Sequence, residues 1–177
     1  MRQEKSEIII AGAGGQGVLL AGIILAQAAL EDEKYTTWFP SYGAEIRGGV
    51  ANSQVVIANY EIASPVITRP DYLVILNQQS MDKFSPRLKK DGLSVVNSSL
   101  IDIKSAGQNI LPVDATRLSE KHLGSPRFAN IIMLGALIKK IPIVTNRALE
   151  KAIEVIFSQK MEIAQLNKEA LKTGLNL

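Results

Sequence analysis

The sequence predicts an α/β domain with a Rossmann-like, open and mostly parallel sheet, helices on both faces and a helical C-terminal third. Three observations carry that expectation. Ile8-Ile9-Ile10-Ala11 is a β-branched run that stops at a glycine cluster, as a strand buried on both faces would. An apolar stretch, Val18 to Leu30, follows at once and is rich in alanine and leucine. Strand-like and helix-like segments then alternate ahead of a mostly helical last third, the pattern of a mostly parallel sheet with crossover helices.

The chain has 177 residues, and 46% of them are apolar, enough for one sizeable core and hardly for two. One domain over residues 1–177 is expected. Glu31-Asp32-Glu33-Lys34 reads as the solvated end of the first helix, and Tyr35 to Phe39 as a second strand ended by Pro40. Asn52 to Asn59 is strand-like. Tyr72 to Leu76 is a buried strand, Ser80 to Leu88 a helix, Leu93 to Asn97 a strand after the Asp91-Gly92 turn, and Ile110 to Val113 a short strand. Phe128 to Ile141 is apolar nearly all round, so it reads as a buried helix. Gly135 inside it costs about 1 kcal/mol of helix propensity, which close helix packing would offset. Thr145 is positioned to cap a helix running to Phe157. Glu162 to Lys172 forms the last helix, with Gly174 as its stop.

Composition narrows the chemistry. The net charge is +3, with basic residues scattered, which gives no electrostatic case for a nucleic-acid partner. The absence of cysteine excludes thiol catalysis, disulfides and cysteine-ligated iron–sulfur clusters in this chain, and fits a cytoplasmic setting. His122 is the only histidine, so a multi-histidine metal site is excluded; beside Lys121 it reads as a surface residue. No run is long enough to span a bilayer, and the glycines after the short apolar stretch argue against a signal peptide.

Two glycine loops are the candidate binding features. Gly12-Ala13-Gly14-Gly15-Gln16-Gly17 satisfies G-x-G-x-x-G between a strand and a helix. The first glycine permits the turn, the second lets an anion approach the backbone, and the third lets the helix pack closely. Free N–H groups at the helix start would attract phosphate. A dinucleotide site also wants an acid ending the second strand, to hold ribose hydroxyls. Here that strand ends Thr37-Trp38-Phe39-Pro40. This weakens the reading as a stand-alone NAD(P)- or nucleotide-binding protein, and glycines that merely serve the turn remain an alternative. The second loop, Ser41 to Asn52, carries Arg47-Gly48-Gly49, a planar cationic fork beside exposed backbone, suited to phosphate or carboxylate. The competing reading is a surface ion pair of Arg47 with Glu45 or Asp71.

On these residues the sequence resembles the gamma subunit, or fused gamma domain, of the 2-oxoacid:ferredoxin oxidoreductases. The family's G-x-G-G-Q-G is matched by Gly12 to Gly17, and its S-Y-G-x-E-x-R-G-G-x-A-N by Ser41 to Asn52. Further matches are Ser64-Pro65, Pro70-Asp71, then Asn77, Ser80, Asp82, Lys83 and Phe84, then Asn130 and Leu134-Gly135-Ala136, and finally Asn167, Ala170 and Gly174. The Asn77 to Phe84 stretch looks most like the 2-oxoglutarate type. The resemblance implies a subunit of an enzyme that oxidatively decarboxylates a 2-oxoacid to an acyl-CoA and passes electrons to ferredoxin. It implies alpha, beta and delta subunits as partners, which hold thiamine diphosphate, magnesium and the iron–sulfur clusters. This chain is then expected to be inactive alone and to contribute no catalytic residue. Coenzyme A is its expected ligand, held by Gly12, Gly14, Gly15, Gln16, Gly17, Arg47, Gly48 and Gly49. A purely structural interface subunit is the other alternative, with Trp38, Phe39, Tyr42 and Tyr60 near the second loop in sequence as its contact residues.

Overall fold

The computed structural model describes residues 5–41, 50–103 and 109–177. Among them, six strands form one sheet in the order β2-β3-β1-β4-β5-β6: β1 (Lys5–Ala13), β2 (Tyr35–Ser41), β3 (Val50–Ala58), β4 (Tyr72–Ile75), β5 (Leu93–Asn97) and β6 (Ile110–Val113). β1, β4, β5 and β6 are mutually parallel, while β3 is antiparallel to both its neighbours, β1 and β2. β3 therefore runs against the other described strands. The mostly parallel α/β expectation holds, and the reversed strand is what patterning alone did not reveal.

The β-branched run of β1 fills both faces of the sheet, with Ile8 and Ile10 in one core cluster and Ile9 and Ala11 in the other. None of the four is exposed, so β1 is the central strand that its composition predicts. The helices are divided unequally between the faces. On the Ile8 side lie α1 (Val18–Glu31), α3 (Ala115–Leu123), α4 (Ala129–Lys140), α5 (Asn146–Ile156) and α6 (Met161–Leu175). The Ile9 side is covered by α2 (Gln78–Phe84), through Met81 and Phe84, together with Ile67 and Ile101.

α4 is buried from Ala129 to Ile138. It crosses α6 backbone to backbone. A Cβ on Gly135 would stand 2.6 Å from the Leu171 carbonyl oxygen and 3.0 Å from Gly174 Cα, and one on Gly174 would run into the Ile132 carbonyl oxygen. Close packing at Gly135 was expected. Gly174 corrects the expectation of a helix stop: α6 continues to Leu175, and Gly174 is kept small by the crossing, with no left-handed backbone.

Other boundaries shift for identifiable reasons. β2 runs through Pro40 to Ser41, because at the edge of the sheet a missing N–H is tolerated. α2 starts at Gln78, where Asn77 Oδ1 accepts from Ser80 N at 3.0 Å, and ends at Phe84, before a 3-10 turn over Ser85–Arg87. α3 was not anticipated from its short polar stretch. α5 is capped as expected, with Thr145 Oγ1 accepting from Ala148 N at 3.1 Å. Asp32, at the end of α1, accepts from both Thr145 N and Thr145 Oγ1, which fixes α5 against α1.

At the amino edge of the sheet, Lys89 bridges Glu7 (2.8 Å) and Asp71 (2.9 Å), and Lys5 adds a second cation to Glu7 at 2.7 Å. Glu7 N donates to Asp71 Oδ2, so the cluster ties the entries of β1 and β4 together. Burial works to raise the Glu7 carboxyl, but hydrogen bonds and charge from Lys5 and Lys89 outweigh it and leave the group below its ordinary 4.5. A carboxyl lowered in the folded state contributes stability above that value, and this is lost as pH falls through the folded value. Glu7→Gln should therefore flatten the acid limb of a melting-temperature profile recorded from about pH 6 to about pH 3. Gly174→Ala should cost about 1–3 kcal/mol by overpacking the α4–α6 crossing, read by chemical denaturation.

Candidate functional site

The carboxyl edge of the sheet gathers the candidate residues, the edge at which open α/β sheets bind ligands. β1 ends there at Ala13, and Gly12 to Gly17 turn the chain into α1. Gly12 is needed for space: a Cβ would meet Gln16 Oε1 at 2.7 Å, and Leu76 Cβ and Val18 Cγ1 at 3.0 Å. Gly15 and Gly17 are needed for their backbone, with φ of 88° and 72°. Gly14 is needed for neither, since its φ is not left-handed and a Cβ would meet nothing within 4 Å.

Gln16 folds back into the loop. Its Oε1 accepts from Ala13 N at 2.7 Å and its Nε2 reaches Leu76 O at 3.4 Å, while Gln16 N donates to Ala13 O at 3.2 Å. The side chain thus links the end of β1 to the end of β4. Gly14 and Gly15 remain exposed, and no described residue accepts from their N–H groups or from that of Gly17.

α1 begins with Gly17 as a left-handed N-cap, without a side-chain cap and without an acid in the first turn. Its first N–H groups lack helical acceptors and form the positive end of the helix. An anion can sit against them. Asn130 of α4 donates from Nδ2 to Gly17 O at 2.9 Å, which anchors the turn from behind. In the sequence Asn130 stands out only through the family resemblance, since no local pattern pairs two residues so far apart.

The second loop is rooted beside the first. Ser41 pairs with Asn52 across β2 and β3, and Val50 pairs with Ala13 at the glycine turn. Arg47, Gly48 and Gly49 themselves, with Glu45 and Tyr42, lie outside the described residues. Asp71, the alternative partner considered for Arg47, is engaged by Lys89 at the amino edge. Along the same carboxyl edge, Asn97 Nδ2 donates to Thr116 Oγ1 at 2.9 Å and Ser99 Oγ donates to Asp114 Oδ1. The sequence reading missed this polar cluster, which the run Asn97-Ser98-Ser99 directly after a buried strand could have signalled.

The acids that a dinucleotide site would require are elsewhere. Glu31 is bound by Lys151 at 2.5 Å and Asp32 by Thr145, at the far end of α1. His122 is exposed on α3. Of the aromatic residues, Trp38 donates from Nε1 to Ser53 Oγ at 2.6 Å and is 37% exposed, and Phe39 is 42% exposed. Tyr60 follows β3 beyond Ala58, at the opposite edge of the sheet from Ser41, so the fold separates it from Trp38 and Phe39, which lie near the end of β2. Among the described residues, no group of three or more His, Cys, Asp or Glu side chains could hold a metal ion, and no helix is long and apolar enough to cross a membrane.

The glycine turn and the strand ends beside it outline a candidate site, and comparison with known proteins gives the family. The model of the pyruvate ferredoxin/flavodoxin oxidoreductase family matches residues 7–177, and the chain belongs to that family. Within it the resemblance is to gamma subunits. The 2-oxoglutarate synthase subunit KorC of Methanocaldococcus jannaschii is 39% identical over 153 residues, covering 84% of this chain and 82% of that protein. The ketoisovalerate oxidoreductase subunit VorA of Methanothermobacter thermautotrophicus is 36% identical over 166 residues, covering 93% of this chain but 35% of VorA. The chain thus spans about a third of one relative and most of the other. The crystal structure of a keto/oxoacid ferredoxin oxidoreductase gamma subunit from Geobacter sulfurreducens superposes with a TM-score of 0.81 at 32% identity, over 97% of this chain and 96% of that one. The 2-oxoglutarate:ferredoxin oxidoreductase of Magnetococcus marinus, solved with 2-oxoglutarate, coenzyme A and succinyl-CoA, shares the fold at a TM-score of 0.85 and 22% identity, over 98% of this chain and 31% of that one.

Gln16→Ala removes the acceptor of Ala13 N and the link to Leu76. It should cost about 1–3 kcal/mol in chemical denaturation.

Proposed function

We propose that the chain is the gamma subunit of a 2-oxoacid:ferredoxin oxidoreductase and that it forms part of the coenzyme A site. On this reading the assembled enzyme oxidatively decarboxylates a 2-oxoacid, transfers the acyl group to the coenzyme A thiol, releases carbon dioxide and passes the electrons to ferredoxin. The observation that carries the reading is the open backbone of Gly14 and Gly15 beside an uncapped, acid-free helix start. Among the described residues, neither sterics nor backbone conformation calls for glycine at position 14, which leaves its backbone open to a ligand. The Magnetococcus marinus relative, which binds coenzyme A, supports the identity of that group.

The N–H groups from Gly14 to Gly17 and the start of α1 face the nucleotide's phosphates in this proposal. Arg47 is assigned the cationic contact with the phosphates, and Gly48 and Gly49 the adjoining contacts, in the same proposal. Gly12 and Gln16 hold the first loop in shape. The decarboxylation and the electron transfer belong to the partner alpha, beta and delta subunits, with thiamine diphosphate, magnesium and iron–sulfur clusters. A chain without cysteine is consistent with that division. The substrate is 2-oxoglutarate in this proposal, supported by the KorC relative; the VorA relative makes a branched 2-oxoacid the competing substrate. The same enzyme class favours a cytoplasmic complex.

Calorimetric titration of coenzyme A into the assembled complex tests the reading. Arg47→Ala and Gly14→Ala should each weaken binding about tenfold, the loss of one charge-assisted contact or of close approach. Gly14→Ala should leave the unfolding midpoint of the chain unchanged. Unaltered affinity in both variants would overturn the coenzyme role.

A further inference from the structure

We infer that Asn130 is a positioning residue of the glycine-loop site, aiming the first N–H groups of α1 at the bound anion. The inference deepens the coenzyme reading above and rests on it.

Asn130 is 1% exposed, and its Nδ2 donates to Gly17 O. The same carbonyl accepts from Ala21 N at 3.0 Å, so two donors hold it. A peptide unit is planar and trans, with its C=O and N–H pointing in opposite directions. Clamping Gly17 C=O toward α4 and the body of α1 therefore directs Val18 N–H the other way, out of the helix start and toward the loop. Asn130 also sets the cap's composition. A Cβ on Gly17 would collide with Nδ2 and stand 3.1 Å from Cγ, so the amide occupies the space that any side chain at the cap would need.

Stability does not account for a buried amide here. Its Oδ1 has no partner among the described residues and lies 3.7 Å from where a Gly17 Cβ would stand. Leaving a buried acceptor unpaired costs about 1–3 kcal/mol, against about 0.5–1.5 kcal/mol gained from the one hydrogen bond. Gly17 O keeps Ala21 as a donor without Asn130. The neighbours of Asn130 on α4 are apolar, and an apolar residue at position 130 would fold at least as well. What the amide adds to the helical bond from Ala21 is a second hold on the Gly17–Val18 peptide, which narrows its orientation where a ligand would meet it.

The test uses the assembled oxidoreductase, assayed with coenzyme A and with the 2-oxoacid varied separately. Asn130→Asp is nearly isosteric, removes the donor and sets a negative charge behind the cap. It should raise KM for coenzyme A about tenfold or more while KM for the 2-oxoacid stays within about twofold. Asn130→Ala, which removes the donor without adding charge, should raise the coenzyme A KM in the same direction and leave the melting temperature of the complex nearly unchanged. It serves as the deciding variant if the aspartate fails to assemble. Equal rises in both KM values, or an unchanged coenzyme A KM in Asn130→Ala, would overturn the positioning role. Gly14→Ala in the same assay separates the two levels. If it raises the coenzyme A KM while Asn130→Ala does not, the coenzyme reading stands and Asn130 is structural only. If neither does, both fall.

Discussion

The turn from β1 into α1 is the constraint on which the rest of the structure depends. Within a few residues the chain must leave the centre of the sheet, reverse and lay an apolar helix back on the face it has just left. Gly12 makes room for Leu76 and Val18, Gln16 closes the loop onto Ala13 and Leu76, and Gly17 starts the helix in a left-handed conformation against Asn130. Each of these contacts joins the turn to a different element: β4 through Leu76, α4 through Asn130, the helix through Val18. The turn is therefore held from three sides, while its outer rim, Gly14 and Gly15, is exposed and bonds to no described residue. A rigid frame around an open backbone suits binding, because little remains to be ordered when a ligand arrives.

The helical layer serves that turn. Asn130 sits at the start of α4, so the position of α4 sets the position of the α1 start. α4 is in turn held at fixed depth by its contact with α6, where Gly135 and Gly174 let two backbones touch. A helix crossing at such short range cannot slide without breaking contact along its length. Ala129 to Ile138, buried throughout, resists rotation for the same reason. The C-terminal third thus acts as a buttress, carrying packing constraints from α6 through α4 to the loop.

What the sequence made legible follows from the range of the forces involved. β1, α1, β4, β5, β6 and the Thr145 cap were readable because their signals are local: a β-branched run, a glycine after it, a hydroxyl three residues before an N–H. Gly135 was readable as a packing glycine because a glycine inside an apolar helix calls for compensation. Gly174 was misread because a glycine near a helix end looks like a stop, and only the Ile132 carbonyl on another helix explains it. The strand direction of β3 was not readable, since an apolar run does not encode which way its neighbours point. At the site, the glycine turn was legible as a motif, but the inward fold of Gln16 and the Asn130–Gly17 bond depend on contacts between distant segments.

The reversed β3 also explains why Ser41 and Val50 reach the edge where the glycine turn lies. β2 runs parallel to β1 and delivers Ser41 to the carboxyl edge. Because β3 returns antiparallel, it starts at that same edge, with Val50 paired to Ala13. Ser41 and Val50 thus both lie at the edge that carries the glycine turn. Had β3 been parallel, Val50 would have begun at the amino edge, next to the Glu7–Lys89 cluster, and the intervening segment would have had to cross the sheet. The hairpin also places β3 between β2 and β1, which leaves β2 as the edge where Pro40 is tolerated. The arrival of Ser41 and Val50 at the edge of the glycine turn is thus a consequence of a single strand reversal, fixed by backbone pairing.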